Sequence, residues 1–202
     1  MSLGKLAIRG VVGPLFIGHG TQKLFGWFGG HGLEGTAGFF EQGIGLRPGK
    51  RHATAAGMSE ALGGALLTLG AFTPIAASMI IGTMVTAIRK VHAPKGPWVT
   101  EGGYEYNAVI IATMFAIAES GPGTPALTPR MKGTGWALLA LGAGVAGSYL
   151  VTEYFNEPEP APAGTSADGQ SRFGRDEAPA SDDARFGTGQ TATEAPAPPA
   201  AG

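Results

Sequence analysis

Seven side chains that can bind oxygen atoms, transfer protons or cover a ligand lie in or beside apolar stretches of this sequence. They are His19, Lys23, Glu60, His92, Trp98, Tyr104 and Glu105. Lysine and histidine donate hydrogen bonds to anionic or carbonyl oxygens, and a carboxylate can accept or release a proton. Because an ionisable group within an apolar segment is costly unless it is paired or solvated, these residues are candidates for a functional site.

Five long, mostly uncharged stretches position these side chains. We predict helices over residues 6–25, 53–69, 74–92, 105–120 and 133–154. A helix needs about 20 mainly apolar residues to cross the hydrocarbon core of a bilayer. Glycines recur inside these stretches, where they cost stability in water but allow close backbone packing in lipid. The sequence therefore predicts an all-α bundle of transmembrane helices in a lipid bilayer, rather than a soluble helical protein.

Consecutive membrane helices alternate in direction, which places the candidate residues at one end of the bundle. His19, Lys23, Glu60, His92 and Glu105 then lie at similar depth and could line one polar pocket, with Trp98 as a lid. Each also has a structural interpretation. Lys23 could extend to the lipid headgroups, Glu60 could pair with Lys23 or with Arg51, and a carboxylate such as Glu105 favours a helix start.

Charged residues at the other end of the bundle have a different expected role. Arg9 and Glu119 lie there, and we expect them to form a structural ion pair. Basic residues are more numerous on the side of the candidate pocket, by seven to four. The positive-inside rule therefore predicts that the pocket end faces the cytoplasm.

The composition excludes several classes of protein. The chain has 202 residues and no cysteine, which rules out disulfides, cysteine-bound metals and thiol chemistry of its own. Its net charge of −1 argues against a nucleic-acid binder. Neither a phosphate-binding loop nor an H-E-x-x-H zinc motif is present. The four histidines lack the paired spacing of metal ligands, so we predict no metal site and keep haem ligation only as a minor alternative.

The C-terminal region differs in composition from the rest of the chain. Residues 1–155 carry 11 basic and 7 acidic residues, whereas residues 156–202 carry 3 basic and 8 acidic ones. The latter region is rich in alanine and proline and poor in aliphatic residues, so we predict that it is disordered. Two Arg-Phe-Gly triplets within it, at Arg172 and Arg185, could serve as a docking motif or reflect low complexity.

The order and spacing of several motifs resemble those of the DoxX family of small integral-membrane proteins. The matching stretches are RGVVGPLFIGHGTQKLFGWF (9–28), SEALGGALLTLGAFTPIAA (59–77), AIRKVHAPKGPW (87–98), GGYEYNAVII (102–111) and ESGPG (119–123). The resemblance implies a four-helix core over residues 1–123. Residues 124–155 would then form a linker and an additional fifth transmembrane helix, ahead of the acidic tail over residues 156–202.

The family pattern also implies which residues form the site. It marks the polar residues named above, Trp98 excepted, together with a set of glycines to which we assign a structural role: Gly18, Gly20, Gly26, Gly63, Gly64 and Gly103. The family takes its name from a membrane subunit of a thiosulfate:quinone oxidoreductase. The resemblance therefore implies a multi-pass protein of a bacterial plasma membrane that could bind quinone, with no covalently bound cofactor.

Three functions stay open at this point, and the sequence does not decide whether the chain is itself an enzyme. The first is a membrane subunit of an oxidoreductase assembly with a quinone or small sulfur-compound pocket, supplied with electrons by membrane or soluble partners. The second is a non-catalytic scaffold that recruits soluble partners, and the third is a small-solute carrier. The glycine-rich last helix could also support a homo-oligomer.

Overall fold

A computed structural model describes residues 2–159 of the chain, and the regular structure within them is helical throughout. The six helices are α1 (Leu3–Phe25), α2 (Gly32–Gly38), α3 (Gly49–Leu69), α4 (Thr73–Ala87), α5 (Glu105–Ser120) and α6 (Thr134–Tyr149). The all-α prediction is confirmed for this part of the chain. The helix predicted over residues 105–120 corresponds to α5 residue for residue. The tail predicted to be disordered lies outside the described residues, apart from residues 156–159.

Glycine and proline explain where these helices begin and end. Gly26 after α1 and Gly70 after α3 adopt the left-handed conformation, with φ of 74° and 60°, which glycine reaches without a steric cost. Pro74 lies in the first turn of α4, where its missing N–H breaks no helical hydrogen bond. The breaks between helices were therefore visible in the sequence.

Two helices continue beyond their α-helical part. A π-helical turn and a 3₁₀ turn extend α4 to Lys95, and a π-helical turn extends α6 to Tyr154. The resulting segments Thr73–Lys95 and Thr134–Tyr154 are long and apolar enough to cross a membrane. The remaining helices depart from that pattern. α1 and α3 are long enough but less apolar over that length, and the 16 residues of α5 span only about 24 Å.

α1 and α3 pack antiparallel at very short range, and glycines make this approach geometrically feasible. A Cβ atom on Gly20 would lie 2.5 Å from the carbonyl oxygen of Gly57, and one on Gly64 would lie 2.5 Å from that of Gly13. Backbone atoms cannot move aside as a flexible side chain can. The glycine-lined faces of the two helices are therefore the ones that meet.

α4 lies at the centre of the bundle and packs against α3, α5 and α6. Its residues Ala76, Ala77, Ile80 and Ile81 are fully buried. The apolar cluster around them also includes Phe16, Leu67, Met84, Ile110, Met114, Ile117, Ala118, Ala137 and Ala140. Large apolar side chains also point outward from several helices, including Val11, Leu62, Val109 and Leu138, as expected for surfaces in contact with lipid.

The prediction that Arg9 and Glu119 form an ion pair is wrong. Arg9 is 3% exposed, and its guanidinium donates hydrogen bonds of 2.7–3.0 Å to four backbone carbonyls. The acceptors are Leu67 and Thr68 at the end of α3, and Pro122 and Pro125 in the α5–α6 loop. Glu119 instead accepts a hydrogen bond from Thr134. Unpaired carbonyls at a helix end and in a loop attract a guanidinium, and sequence patterns do not reveal such acceptors.

Candidate functional site

A cavity of about 650 Å³ opens among α1, α3, α4, α5, α6 and the turn that follows α2. It lies toward the end of the bundle where α1 and α4 finish and α3 and α5 begin. Its wall is mostly apolar or formed by small residues, and a few polar side chains reach it. This size and composition are typical of sites for small organic ligands.

Lys23 and Glu60 form an ion pair on the wall of this cavity. The distance from Lys23 Nζ to Glu60 Oε2 is 2.5 Å, and the two side chains are 25% and 8% exposed. The close contact of α1 with α3 brings them together, because Gly20 and Gly57 allow the two backbones to approach one turn away. A lysine ammonium has three donors, so one bond to Glu60 leaves two for a ligand oxygen.

Two histidines predicted for the site also line the cavity. His92 donates from Nδ1 to the carbonyl oxygen of Gly102 at 2.7 Å, so Nε2 carries the lone pair of the neutral ring. His19 is exposed, and its Nδ1 lies 3.2 Å from Oε1 of Gln22. The structure thus brings His19, Lys23, Glu60 and His92 together, as the alternation of helix directions predicted.

The other predicted site residues do not reach the cavity. Trp98 is 65% exposed and does not line it, so the structure does not place it as a lid. Tyr104 and Glu105 precede and begin α5, and both lie away from the wall. Tyr106 follows Tyr104 by two positions, and Asn107 follows Glu105 by two. Two positions correspond to a rotation of about 200° around α5, so Tyr106 and Asn107 reach the cavity instead.

Sequence reasoning missed several polar residues of the wall, among them Asn107 and His52. Asn107 is buried in α5, and its amide nitrogen lies 3.4 Å from the sulfur of Met84, a weak acceptor. A lone amide within an otherwise apolar helix was a signal for it. His52 is buried in the first turn of α3 and donates to the carbonyl oxygen of Arg47 at 3.1 Å, while its Nδ1 has no partner among the described residues. No spacing rule pointed to His52.

The glycines assigned a structural role differ in what surrounds them in the structure. Gly20 and Gly64 allow the α1–α3 contact, Gly63 packs tightly against α4, and Gly26 adopts the left-handed conformation. A Cβ atom on Gly103 would overlap the carbonyl oxygen of Gly96. Gly18 differs from all of these, because a Cβ atom there would meet no atom within 4 Å.

Comparison with known proteins decides the family. The family model "DoxX" matches residues 4–93. A Bacillus subtilis (strain 168) protein described as "Putative oxidoreductase CatD" is 32% identical over 127 residues, which cover 63% of this chain and 86% of that protein. The chain belongs to the DoxX family. It is accordingly a membrane protein, and no solved structure matches it.

In this DoxX chain the residues matched by the family model end just after α4, yet the cavity has walls beyond them. α5 contributes Tyr106 and Asn107, and α6 contributes Gly144, Gly147 and Ser148. α6 runs parallel to α4, and Ser148 Oγ lies 2.8 Å from Oγ1 of Thr86 across the two helices. The segment after the matched region therefore completes the site.

Acidic residues that follow α6 in the DoxX chain neutralise basic residues near the cavity. Glu153 contacts Arg89 and Lys90 at 2.7 and 3.3 Å, Glu157 contacts Arg51 at 3.4 Å, and Glu159 contacts Arg47 at 3.3 Å. Asn156 adds hydrogen bonds with the backbone of Arg47 and Gly45. Within residues 2–159, no group of three or more histidine or acidic side chains is arranged to hold a metal ion.

Proposed function

We propose that this DoxX protein is the membrane subunit of an oxidoreductase assembly and that its cavity binds a quinone or a small sulfur compound. The observation that carries the proposal is the Lys23–Glu60 ion pair on the wall of a ligand-sized, mostly apolar cavity. This ion pair borders an open cavity instead of being enclosed by packed side chains, so it is available for ligand binding or proton transfer.

The polar groups of the wall suit such a ligand. The free donors of Lys23 can bind a carbonyl or anionic oxygen. His19, whose Nδ1 donates to Gln22, offers Nε2 as an acceptor for a ligand hydroxyl. Reduction of a quinone to a quinol takes up two electrons and two protons. The Glu60 carboxylate and His92 Nε2 can each accept a proton from water and pass it to a quinone oxygen. We assign the supply of electrons to a partner subunit with its own redox cofactor, since the chain has no cysteine for thiol–disulfide exchange.

The similar protein from Bacillus subtilis supports the oxidoreductase part of the proposal through its description alone. The positions of the charged residues support a topology. We propose that α1, α3, α4, α5 and α6 all cross the plasma membrane and that the cavity end, which holds the larger number of basic residues, faces the cytoplasm. A soluble redox partner would then meet the protein on that side.

Binding to the purified protein tests this function. Equilibrium dialysis in detergent micelles, corrected with protein-free micelles, measures the affinity for menadione (a naphthoquinone) and for thiosulfate. We expect at least one of them to bind. Glu60→Gln should weaken menadione binding by about tenfold, which corresponds to about 1.4 kcal/mol, because the carboxylate holds Lys23 in place, but it should strengthen thiosulfate binding because it removes a negative charge. Glu105→Gln is the matched control, because Glu105 lies away from the cavity. Failure of the wild-type protein to bind either probe would refute the proposed site.

A further inference from the structure

α6 forms part of the cavity wall, although it lies outside the residues that match the family model. Ala143, Gly144, Gly147, Ser148 and Val151 line the cavity from this helix. Ala143, Gly147 and Val151 follow one another at four-residue spacing, as do Gly144 and Ser148, so the five residues form two neighbouring rows on a single face of α6. The helix that the sequence presents as an addition to the family core is therefore part of the site.

The position of this wall is fixed by contacts with α4 along its length. A Cβ atom on Gly144 would lie 2.8 Å from the carbonyl oxygen of Ser78, which shows how closely the two backbones approach. The Thr86–Ser148 hydrogen bond follows one turn later, and Arg89 donates to Oγ1 of Thr152 at 2.9 Å after another turn. α6 therefore cannot move away from the cavity without breaking several contacts.

Gly147 is the position at which this wall lacks a side chain that would fit. Gly144 is needed for the contact with α4, but a Cβ atom on Gly147 would meet no atom within 4 Å. A glycine inside a helix costs up to about 1 kcal/mol relative to alanine, and packing gives no compensation at Gly147. The absence of a side chain at Gly147 leaves empty volume on the cavity side of α6.

The charges around the cavity favour a neutral ligand. Lys23 is the only lysine or arginine among the described residues that line the cavity, and it is already paired with Glu60. Arg89 and Lys90 at the nearby end of α4 are paired with Glu153. A small anion such as thiosulfate would fill only a small part of about 650 Å³ and would meet a mostly apolar wall.

We infer that α6 is a ligand-binding wall of this protein and that Gly147 sets the size of the ligand, which is a neutral and largely apolar ring compound. This inference rests on the proposed function, since it names the ligand class for the same cavity. The ring lies against the face of α6 that Gly147 leaves open, and its polar substituents face Lys23 and Glu60.

Two glycine variants of the same helix provide the test. Gly147→Phe places a ring inside the cavity, whereas Gly142→Phe places one at an exposed position of α6 that does not line the cavity and is equally free of neighbours. Both changes replace an interior helix glycine, so their effects on helix propensity match. Menadione affinity is measured by equilibrium dialysis, and the melting temperature and elution volume report folding and oligomeric state.

We expect Gly147→Phe to weaken menadione binding by about tenfold or more, and Gly142→Phe to change it by less than about twofold. Equal affinities of the two variants would overturn the inference. Binding of thiosulfate but not menadione by the wild-type protein would also overturn it while leaving the proposed function intact, whereas binding of neither would refute the function itself. If Gly147→Phe fails to fold, Gly147→Val and Ala143→Leu fill the same space with smaller side chains and must show the same loss.

Discussion

Lys23 Nζ and Glu60 Oε2 lie 2.5 Å apart, and this contact joins α1 to α3 at the wall of the cavity. The two residues are 37 positions apart in the chain and are brought together by glycines on both helices. The ion pair therefore depends on the close helix contact and, in turn, links that contact to the site.

Removing Lys23 should destabilise the protein more than neutralising Glu60. Lys23→Met leaves an almost buried carboxylate without its partner, at a cost on the order of 3 kcal/mol. This corresponds to a fall of roughly 6–12 °C in melting temperature for a chain of this size. Glu60→Gln keeps an oxygen that can accept from Lys23, so its effect should be smaller. Thermal unfolding in one detergent measures both.

The double variant Lys23→Met/Glu60→Gln is the control for this prediction, because it removes the uncompensated charge. It should be more stable than Lys23→Met alone. If the double variant and Lys23→Met unfold at the same temperature, the unpaired Glu60 carboxylate is not the cause of the destabilisation.

The close contact of α1 with α3 predicts opposite effects for two neighbouring glycines. Gly20→Ala forces a methyl group to within 2.5 Å of the Gly57 carbonyl oxygen, so the helices must separate and the melting temperature should fall. Gly18→Ala meets no atom within 4 Å and should be neutral or raise stability by up to about 1 kcal/mol through helix propensity. Similar destabilisation by both alanines would contradict the packing described for α1.

Arg9 should be essential for joining α1, α3 and the α5–α6 loop at the end of the bundle away from the cavity. Arg9→Met leaves four carbonyls without their donor and should cost on the order of 3 kcal/mol or more, since hydrogen bonds to charged groups are among the stronger ones. Arg130→Met, at an exposed position near the same end, is the matched control. Ligand affinity should be unchanged in any Arg9 variant that folds.

The five-crossing topology can be tested by labelling, because the chain has no natural cysteine. Thr100→Cys lies in the α4–α5 loop and Thr124→Cys lies in the α5–α6 loop, on opposite sides of the proposed membrane. In intact cells a membrane-impermeant maleimide should label Thr124→Cys and leave Thr100→Cys unlabelled until the membrane is opened. Labelling of both in intact cells, or of neither, would rule out a crossing by α5.

The sequence by itself determined the five long helices, though not the short α2, and the end of the bundle at which the main polar residues lie. Apolar runs separated by glycine and proline predicted the helices, and alternating helix directions placed His19, Lys23, Glu60 and His92 at one end. These inferences succeed because the length of a helix and its end signals are local properties of the chain.

Only the tertiary structure decided which face of each helix meets the cavity. Sequence analysis favoured Tyr104 and Glu105, but the rotation of α5 brings Tyr106 and Asn107 to the wall. It also did not show that Arg9 binds backbone carbonyls or that α6 lines the cavity parallel to α4. The physical reason is that helix rotation is set by contacts between backbones, such as Gly20 with Gly57 and Gly82 with Gly144, which join residues far apart in the chain.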